Sequence, residues 1–458
     1  MKKLFKISFL AAVLVGAVIS AKAQNIMTLK DCMEYAVSNS TKMRIQQADI
    51  HDAQVERRSA ILEAFTPSIS AGTYAYSNFG RSVDPETNTY RSTTSFQNGY
   101  QASGSIALFN GFQAVNNIKI SKTAESMGLS RQEQTRDEIC LATMEAYYNV
   151  VYYSQMVKAI EEEVAAVTKA VQLTRKQEQL GQKGYADVVQ IEADLAANEY
   201  KLVNTRNMYN DAFLTLKDIM FWPLDQELAI DYSMVDEAAL GNGEQLLAQG
   251  MLSENKEELV ANALETLPAA YIAKGEMMNA KRALSTAKWQ LLPSLNLSGG
   301  WSTSYFTYPD EKSYVAPSFR SQFNNNMGEY IQLSMSIPIY GRLYRQATIS
   351  KKKNAYVRAT AQYDQKVREI ETEVTRALQD KEGAEAAFLQ AHKQVQMQTE
   401  AYKYNTKKFE QGIISPIEYQ TASGNYLSAK AEQLNALLKY YIKKSVVEYY
   451  SGIPYLEQ

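Results

Sequence analysis

Leu295-Asn296-Leu297-Ser298-Gly299-Gly300-Trp301-Ser302-Thr303-Ser304-Tyr305 alternates along its whole length. One face carries Leu295, Leu297, Gly299, Trp301, Thr303 and Tyr305; the other carries Asn296, Ser298, Gly300, Ser302 and Ser304. Successive side chains of a strand point to opposite faces, so a period of two predicts a β-strand. Residues 331–339 repeat the pattern, with Ile331, Leu333, Met335, Ile337 and Ile339 opposed to Gln332, Ser334, Ser336 and Pro338. Upstream, Tyr100, Ala102, Gly104, Ile106 and Leu108 oppose Gln101, Ser103 and Ser105, and residues 69–76 form a weaker fourth segment. About ten alternating residues with small polar side chains on one face is the pattern of a transmembrane β-strand. The intervening loops, 78–98 and 307–327, are rich in Asn, Ser, Thr and Tyr, as extracellular loops are. Tyr74, Tyr76, Tyr100, Trp301, Tyr305 and Tyr308 are candidates for interfacial aromatic girdles.

The rest of the chain bounds what such strands belong to. Its 458 residues carry 48 Lys plus Arg against 50 Asp plus Glu, a formal net charge of −2, so no nucleic-acid partner is expected. The two cysteines, Cys32 and Cys140, are too few for a disulfide framework or a structural zinc site and are expected to be buried and inert. Two histidines leave little room for metal chemistry, and no cofactor is expected. Residues 1–23 read as an export signal. They combine basic Met1-Lys2-Lys3, an apolar run from Ile7 to Ile19, and Ala21-Lys22-Ala23 as cleavage site. The mature chain is expected to begin at Gln24, without a lipid anchor.

Self-comparison shows two copies of one unit. Gly181-Gln182-Lys183-Gly184-Tyr185-Ala186-Asp187 aligns with Gly412-Ile413-Ile414-Ser415-Pro416-Ile417-Glu418, and Thr66-Pro67-Ser68-Ile69 with Leu292-Pro293-Ser294-Leu295. Phe109-Asn110-Gly111 aligns with Tyr340-Gly341. Expected boundaries are 24–222 for the first repeat, 223–255 for a middle linker region and 256–458 for the second repeat; each repeat contains a helix, a β-hairpin and a long helical hairpin. Within each copy the period switches to heptads. Val150, Val157, Val164 and Val171 form one seam; Ala146, Tyr153, Ile160, Val167 and Thr174 form another; Val188, Leu195, Leu202, Tyr209 and Leu216 follow. The second copy runs Val367, Val374, Lys381, Phe388, Val395, Tyr402, Phe409, then Tyr419, Tyr426, Gln433, Tyr440 and Val447, with Lys381 and Gln433 as polar exceptions. From Arg342 to Gln411 there is no proline, so one helix of about 100 Å is expected at about 1.5 Å per residue.

Four strands cannot close a barrel, and an open sheet edge is not tolerated in lipid. The smallest membrane barrels have about eight strands, so two to four copies must share one. The helices begin almost where the strands end, so each reads as the barrel's extension into a coiled coil.

The arrangement resembles the TolC-like outer membrane efflux protein family. The likeness rests on the repeat, the Pro67 and Pro293 strand starts, the Phe109/Gly111 and Tyr340/Gly341 turns, and the tip glycines Gly181 and Gly412 with an acid six residues on. An Asn-Pro that the family often has early in each half is replaced here by Ser40-Thr41 and Leu267-Pro268. The resemblance implies an α+β membrane protein: a homotrimer with a twelve-stranded β-barrel, four strands per protomer, continued by a long periplasmic α-helical coiled-coil barrel. It implies an outer membrane exit channel of a tripartite efflux pump or a type I secretion system in a Gram-negative cell. The partners would be a periplasmic adaptor protein, an inner-membrane transporter of RND, ABC or MFS type, and outer membrane lipid. It also implies site residues. Gly181, Gly184, Tyr185, Gly412, Ser415 and Pro416 would be the adaptor-docking tips, and Asp187 and Glu418 would line the channel aperture. An acid in the first helical turn also has a purely structural use, at the positive end of the helix dipole. Thr421 and Ile414 depart from family members that carry a second acid and a basic latch there, which implies one weaker ring.

Nucleotide, metalloprotease and serine-hydrolase motifs are absent from the sequence. His51, His392, Glu161-Glu162-Glu163 and Lys351-Lys352-Lys353 read as solvated helix positions. A structural coiled-coil/β-barrel surface protein without a through-pore and a barrel enzyme stand as alternatives to the passive channel.

Overall fold

The computed structural model describes residues 26–83, 88–233, 255–311 and 314–458; the export signal and residues 234–254 of the expected linker lie outside them. In chain order the elements are α1 (Leu29–Asn39), α2 (Thr41–Phe65), β1 (Ser68–Asn78), β2 (Arg81–Val83), β3 (Tyr90–Ser92), β4 (Ser95–Phe109), α3 (Gln113–Gln179) and α4 (Tyr185–Met220). They continue as α5 (Lys256–Thr266), α6 (Pro268–Trp289), β5 (Ser294–Thr307), α7 (Phe319–Asn325), β6 (Gly328–Ser336), α8 (Tyr344–Glu410) and α9 (Pro416–Tyr450). The stretches aligned with Asn-Pro both break a helix, α1 from α2 at Ser40 and α5 from α6 at Leu267, with or without proline.

The chain divides into two units, one of residues 47–131 and 271–366 and one of the remainder. The first holds an antiparallel sheet in the order β1-β4-β5-β6. Both hairpins form as the alternation predicts, and Pro67 and Pro293 each stand just before a strand, where their missing N–H costs no ladder bond. β6 ends at Ser336 rather than at Ile339, because Pro338 cannot donate to a ladder. The register assigns the faces. Ala102 opposes Trp301, Gly104 opposes Gly299, and Leu297 opposes Leu333. One face is therefore apolar, and Ser70, Ser103, Gln101, Ser302, Asn296 and Ser334 lie on the other. Tyr74 and Tyr76 fall on that polar face, Tyr74 covering Gly99 and Tyr76 donating to Gln97 Oε1 at 2.6 Å, whereas Tyr100, Trp301 and Tyr305 take the apolar one. Every residue of the two outer strands is exposed.

The strand-to-helix turns repeat in backbone rather than in residue type. Gly111 and Phe112 have φ of 63° and 60°; Arg342 and Leu343 have 51° and 60°. The expected Gly341 is thus not the left-handed residue. Glycine is obligatory only in the first turn, where a Cβ on Gly111 would lie 2.4 Å from the Trp289 carbonyl oxygen. Phe109, Phe112 and Trp289 pack edge to face around it.

The second unit is helical. α3 and α8 each run 67 residues without a break, about 100 Å at the α-helical rise. Its largest core gathers Cys32, Cys140, Met144, Tyr147, Val150, Leu216, Leu434 and Leu438. Both cysteines are fully buried, and burial pushes each thiol up to about 12. The seam positions Ile160, Val167, Thr174, Val374, Lys381, Phe388 and Gln433 are buried. In α4 the deepest line is Ile191, Asn198, Thr205 and Ala212, three residues out of phase with the expected Leu195 and Leu202. Two polar residues in that line hid it from hydrophobic periodicity. Two expectations of solvated positions fail. His392 is buried, its Nδ1 facing Gln433 Nε2 at 2.8 Å and its Nε2 facing Gln396 at 3.0 Å. Glu163 is buried and accepts a short hydrogen bond from Ser423 Oγ. His51, Glu161, Glu162 and Lys351 to Lys353 are exposed.

Candidate channel tips and aperture

The tips follow from what a helix end must satisfy. The last carbonyls of a helix lack partners, and a left-handed residue just beyond the end lets following N–H groups fold back on them. Gly181 has φ 75° and Gly412 φ 73°. Gly181 N donates to Glu178 O at 2.9 Å and Gln182 N to Gln177 O at 2.8 Å; Gly412 N donates to Phe409 O at 2.9 Å and Ile413 N to Lys408 O at 2.8 Å. The two tips thus close with the same pair of bonds.

The returning helices start differently. Ser415 caps α9: its Oγ accepts from Glu418 N at 3.3 Å, while Glu418 Oε2 accepts from Ser415 N at 2.9 Å, and Pro416 occupies the first turn. This reciprocal capping box needs a hydroxyl at one end and an acid three residues on. In α4 the cap is Gly184, which has no side chain to return a bond, so only Asp187 Oδ2 accepting from Gly184 N at 3.1 Å remains. The bonds from Ser415, with the Lys183 and Lys408 charges nearby, hold the Glu418 carboxyl below the usual carboxylate range.

Both aperture candidates therefore act as helix caps. Their seam neighbours Val188 and Tyr419 are buried, while Asp187 is half-buried and Glu418 exposed. Lys183 Nζ donates to Ile414 O at 2.9 Å, stitching the two tips together. A lysine from the first tip thus stands beside the second at the position where the sequence offers only Ile414, a contact no pattern within one repeat reveals. Among the tip residues Gly181, Gly184, Tyr185 and Gly412 are exposed, Ser415 is half-buried and Pro416 is buried. Below the tips, Val167, Val171, Ile191, Phe409 and Tyr419 form a local core, with Phe409 stacked on Tyr419 at 4.6 Å. Among the described residues there is no cluster suited to a metal ion.

The sequence model of the outer membrane efflux protein family matches residues 34–220 and 259–446, both repeats. The chain belongs to the outer membrane efflux protein family. The family's outer membrane location agrees with the alternating strands. No described helix is long and apolar enough to cross a membrane. Its fold is that of solved channels of low sequence identity. CusC, whose structures concern folding and transmembrane channel formation, superposes with a TM-score of 0.74 at 15% identity, covering 92% of this chain and 91% of that one. The outer membrane protein VceC of Vibrio cholerae gives 0.73 at 14%, covering 92% and 96%. The CmeC outer membrane channel of Campylobacter jejuni gives 0.73 at 14%, covering 93% and 85%. No curated protein sequence matches this chain.

Proposed function

We propose that the protein is a passive, homotrimeric exit duct that catalyses no reaction. It would pass substrates from an inner-membrane transporter of RND, ABC or MFS type, through a periplasmic adaptor, across the outer membrane. The observation that supports this reading is the four-stranded sheet with both outer strands exposed, one face apolar and one lined by Ser, Gln and Asn. β6 runs opposite to β1, so a copy's β1 beside β6 continues the antiparallel ladder. Three copies give a closed twelve-stranded barrel with lipid outside and a polar lumen within, as membrane barrels require.

In this reading the hairpin loops are extracellular and the helical tips periplasmic, as in the domain scheme of 24–222, 223–255 and 256–458. Gly181, Gly184, Tyr185, Gly412 and Ser415 would meet the adaptor, with Pro416 buried beneath them to shape the turn. Asp187 and Glu418, three copies of each, would ring the aperture. The Lys183 charge beside Glu418 weakens that ring.

Purified protein should run at about three protomer masses in detergent and conduct ions in planar bilayers as single open steps. A stable trimer with no conductance, under any applied voltage, would favour the surface protein without a pore. Asp187→Asn with Glu418→Gln should lower cation preference and block by multivalent cations; no change in either would leave these acids as caps alone. Gly412→Asp should keep the trimer, since Asp is one of the few side chains that visit αL backbone and its cost there is local, and abolish efflux.

A further inference from the structure

The loop between β5 and β6 carries helix α7, which no alternation pattern anticipates. It lies against the apolar face of the sheet, not the polar one. Phe319 packs on Tyr100 and Tyr305 with ring centroids 6.1 and 5.6 Å apart; Phe323 packs on Tyr100 and Trp301 at 5.6 and 5.8 Å. Tyr100, Trp301, Thr303 and Tyr305 share the apolar face by register. Thr303 Oγ1 donates to Phe323 O at 2.6 Å and is buried beneath the helix.

The same loop continues the ladder where β6 stops. β6 pairs with β5 only as far as Ser302. Beyond it, Gln322 Oε1 accepts from Phe306 N at 2.9 Å and its Nε2 donates to Phe306 O at 2.8 Å, as a neighbouring strand would. Asn326 Nδ2 donates to Ser304 O at 2.8 Å. The outward side of this lid is mixed: Phe319 is 48% exposed and Val315 and Met327 more so, while Arg320, Asn324, Asn325 and Asn326 are exposed beside them.

Height places the helix in the bilayer. At about 3.4 Å per residue and a tilt of about 40°, Leu295 to Tyr305 rises about 26 Å, the height of the apolar band of a membrane barrel. Trp301 stands about 16 Å up that rise by the same arithmetic. Exposed Glu329 opposes Trp301 on the same face, so α7 lies at the outer boundary of the band. Lipid at that depth tolerates backbone only where its polar groups are satisfied. Here Ser318 Oγ caps Ser321 N, Asn326 N donates to Gln322 O, and Phe323 O accepts from Thr303.

Resting on the barrel reading above, we propose that α7 is an external foot that docks onto lipid of the outer leaflet and fixes the depth of the barrel. The Phe319 ring sits at the level of the upper acyl chains and Arg320 reaches the anionic headgroups, as long basic side chains do at interfaces.

The test uses nitroxide labels on single cysteines in the full trimer, in vesicles of phosphatidylethanolamine and phosphatidylglycerol. The buried Cys32 and Cys140 stay unlabelled. Phe319→Cys is expected to collide with dissolved oxygen at least severalfold more than with an aqueous nickel chelate. Ile331→Cys, on the apolar face mid-strand, reports the barrel itself and should do the same more strongly. Adding Phe323→Ser should undock the foot and turn the label at 319 aqueous while that at 331 is unchanged. Oxygen-dominated collision at 331 with nickel-dominated collision at 319 overturns the foot and leaves the barrel. Protection of 319 from both reagents means that a neighbouring subunit covers it, and also overturns the foot. Failure at 331 removes the barrel and the foot with it.

Discussion

Gly181 and Gly412 end their helices with the same φ and the same two hydrogen bonds, yet farther up those helices the two halves of the molecule part. Glu163 is buried against Ser423, whereas Gln394, its counterpart in the second half, is exposed. His392 is buried between Gln396 and Gln433, whereas its counterpart Glu161 is exposed and pairs with Arg206 at 2.6 Å. A chain reversal admits few backbone solutions, so both halves keep one. A buried polar layer depends on the side chain that faces it: Glu163 meets Ser423 and His392 meets Gln433, two different polar positions of α9. At the helix starts near the N-terminal side of each half, Cys32 and Ala36 correspond to Leu259 and Ala263, all buried. There any apolar residue that fits suffices and identity drifts.

The sharpest way to break this comparison is at the strand-to-helix turns. Gly111→Ala adds a left-handed strain and an impossible contact with Trp289 O, together about 3 kcal/mol or more, and should abolish recovery of assembled trimer. Arg342→Ala, equally left-handed but already bearing a Cβ, should stay within about 0.5 kcal/mol in thermal unfolding. Equal losses at both sites would mean that the turns differ in more than space.

The polar layers come next. Burial raises the Glu163 carboxyl above its ordinary value, against the opposing pull of the Ser423 hydrogen bond and the Lys201 charge. The folded chain then binds a proton more readily than the unfolded one. That contribution is full below the unfolded carboxylate range and is lost as pH rises through the folded value. Unfolding of the wild type should show this loss between acidic and neutral pH. Glu163→Gln should flatten it and gain roughly 1 kcal/mol at neutral pH, while Gln394→Glu on the exposed counterpart should change nothing. An unaltered pH profile in the Glu163 variant would place its carboxylate in water.

The caps give a smaller contrast. Ser415→Ala should cost about 1 kcal/mol by removing the hydroxyl half of the capping box, and Gly184→Ser should gain a few tenths by supplying it to the other tip. Smallest of all is the response of the cysteines. With thiols raised to about 12 by burial, Cys32 and Cys140 should take no maleimide in the folded trimer and both should react once it is denatured. Labelling of either in the native state would show that the helical core opens.

Much of the fold is legible in one dimension because its periods are long and clean. Alternation marked the four strands of the main sheet but not the short β2 and β3, heptads marked both long helices, and the repeat located the tips and their acids. The family match then covers the two halves on either side of the segment expected to be a linker. The residues that escaped are those whose role depends on a partner distant in sequence. Lys183 reaches Ile414 across the repeat, and the tyrosines of β1 take the polar face once β4 sets their register.

By itself, then, the amino-acid order determined element types, their repetition and the chemistry of each turn, since these depend on periodicity and on residues a few positions apart. Only the tertiary structure decided which side of the sheet each aromatic ring occupies, which acids and histidines lose their water, and that α7 folds back over the sheet. Those outcomes depend on pairing register and burial, and both are set by segments far apart in the chain.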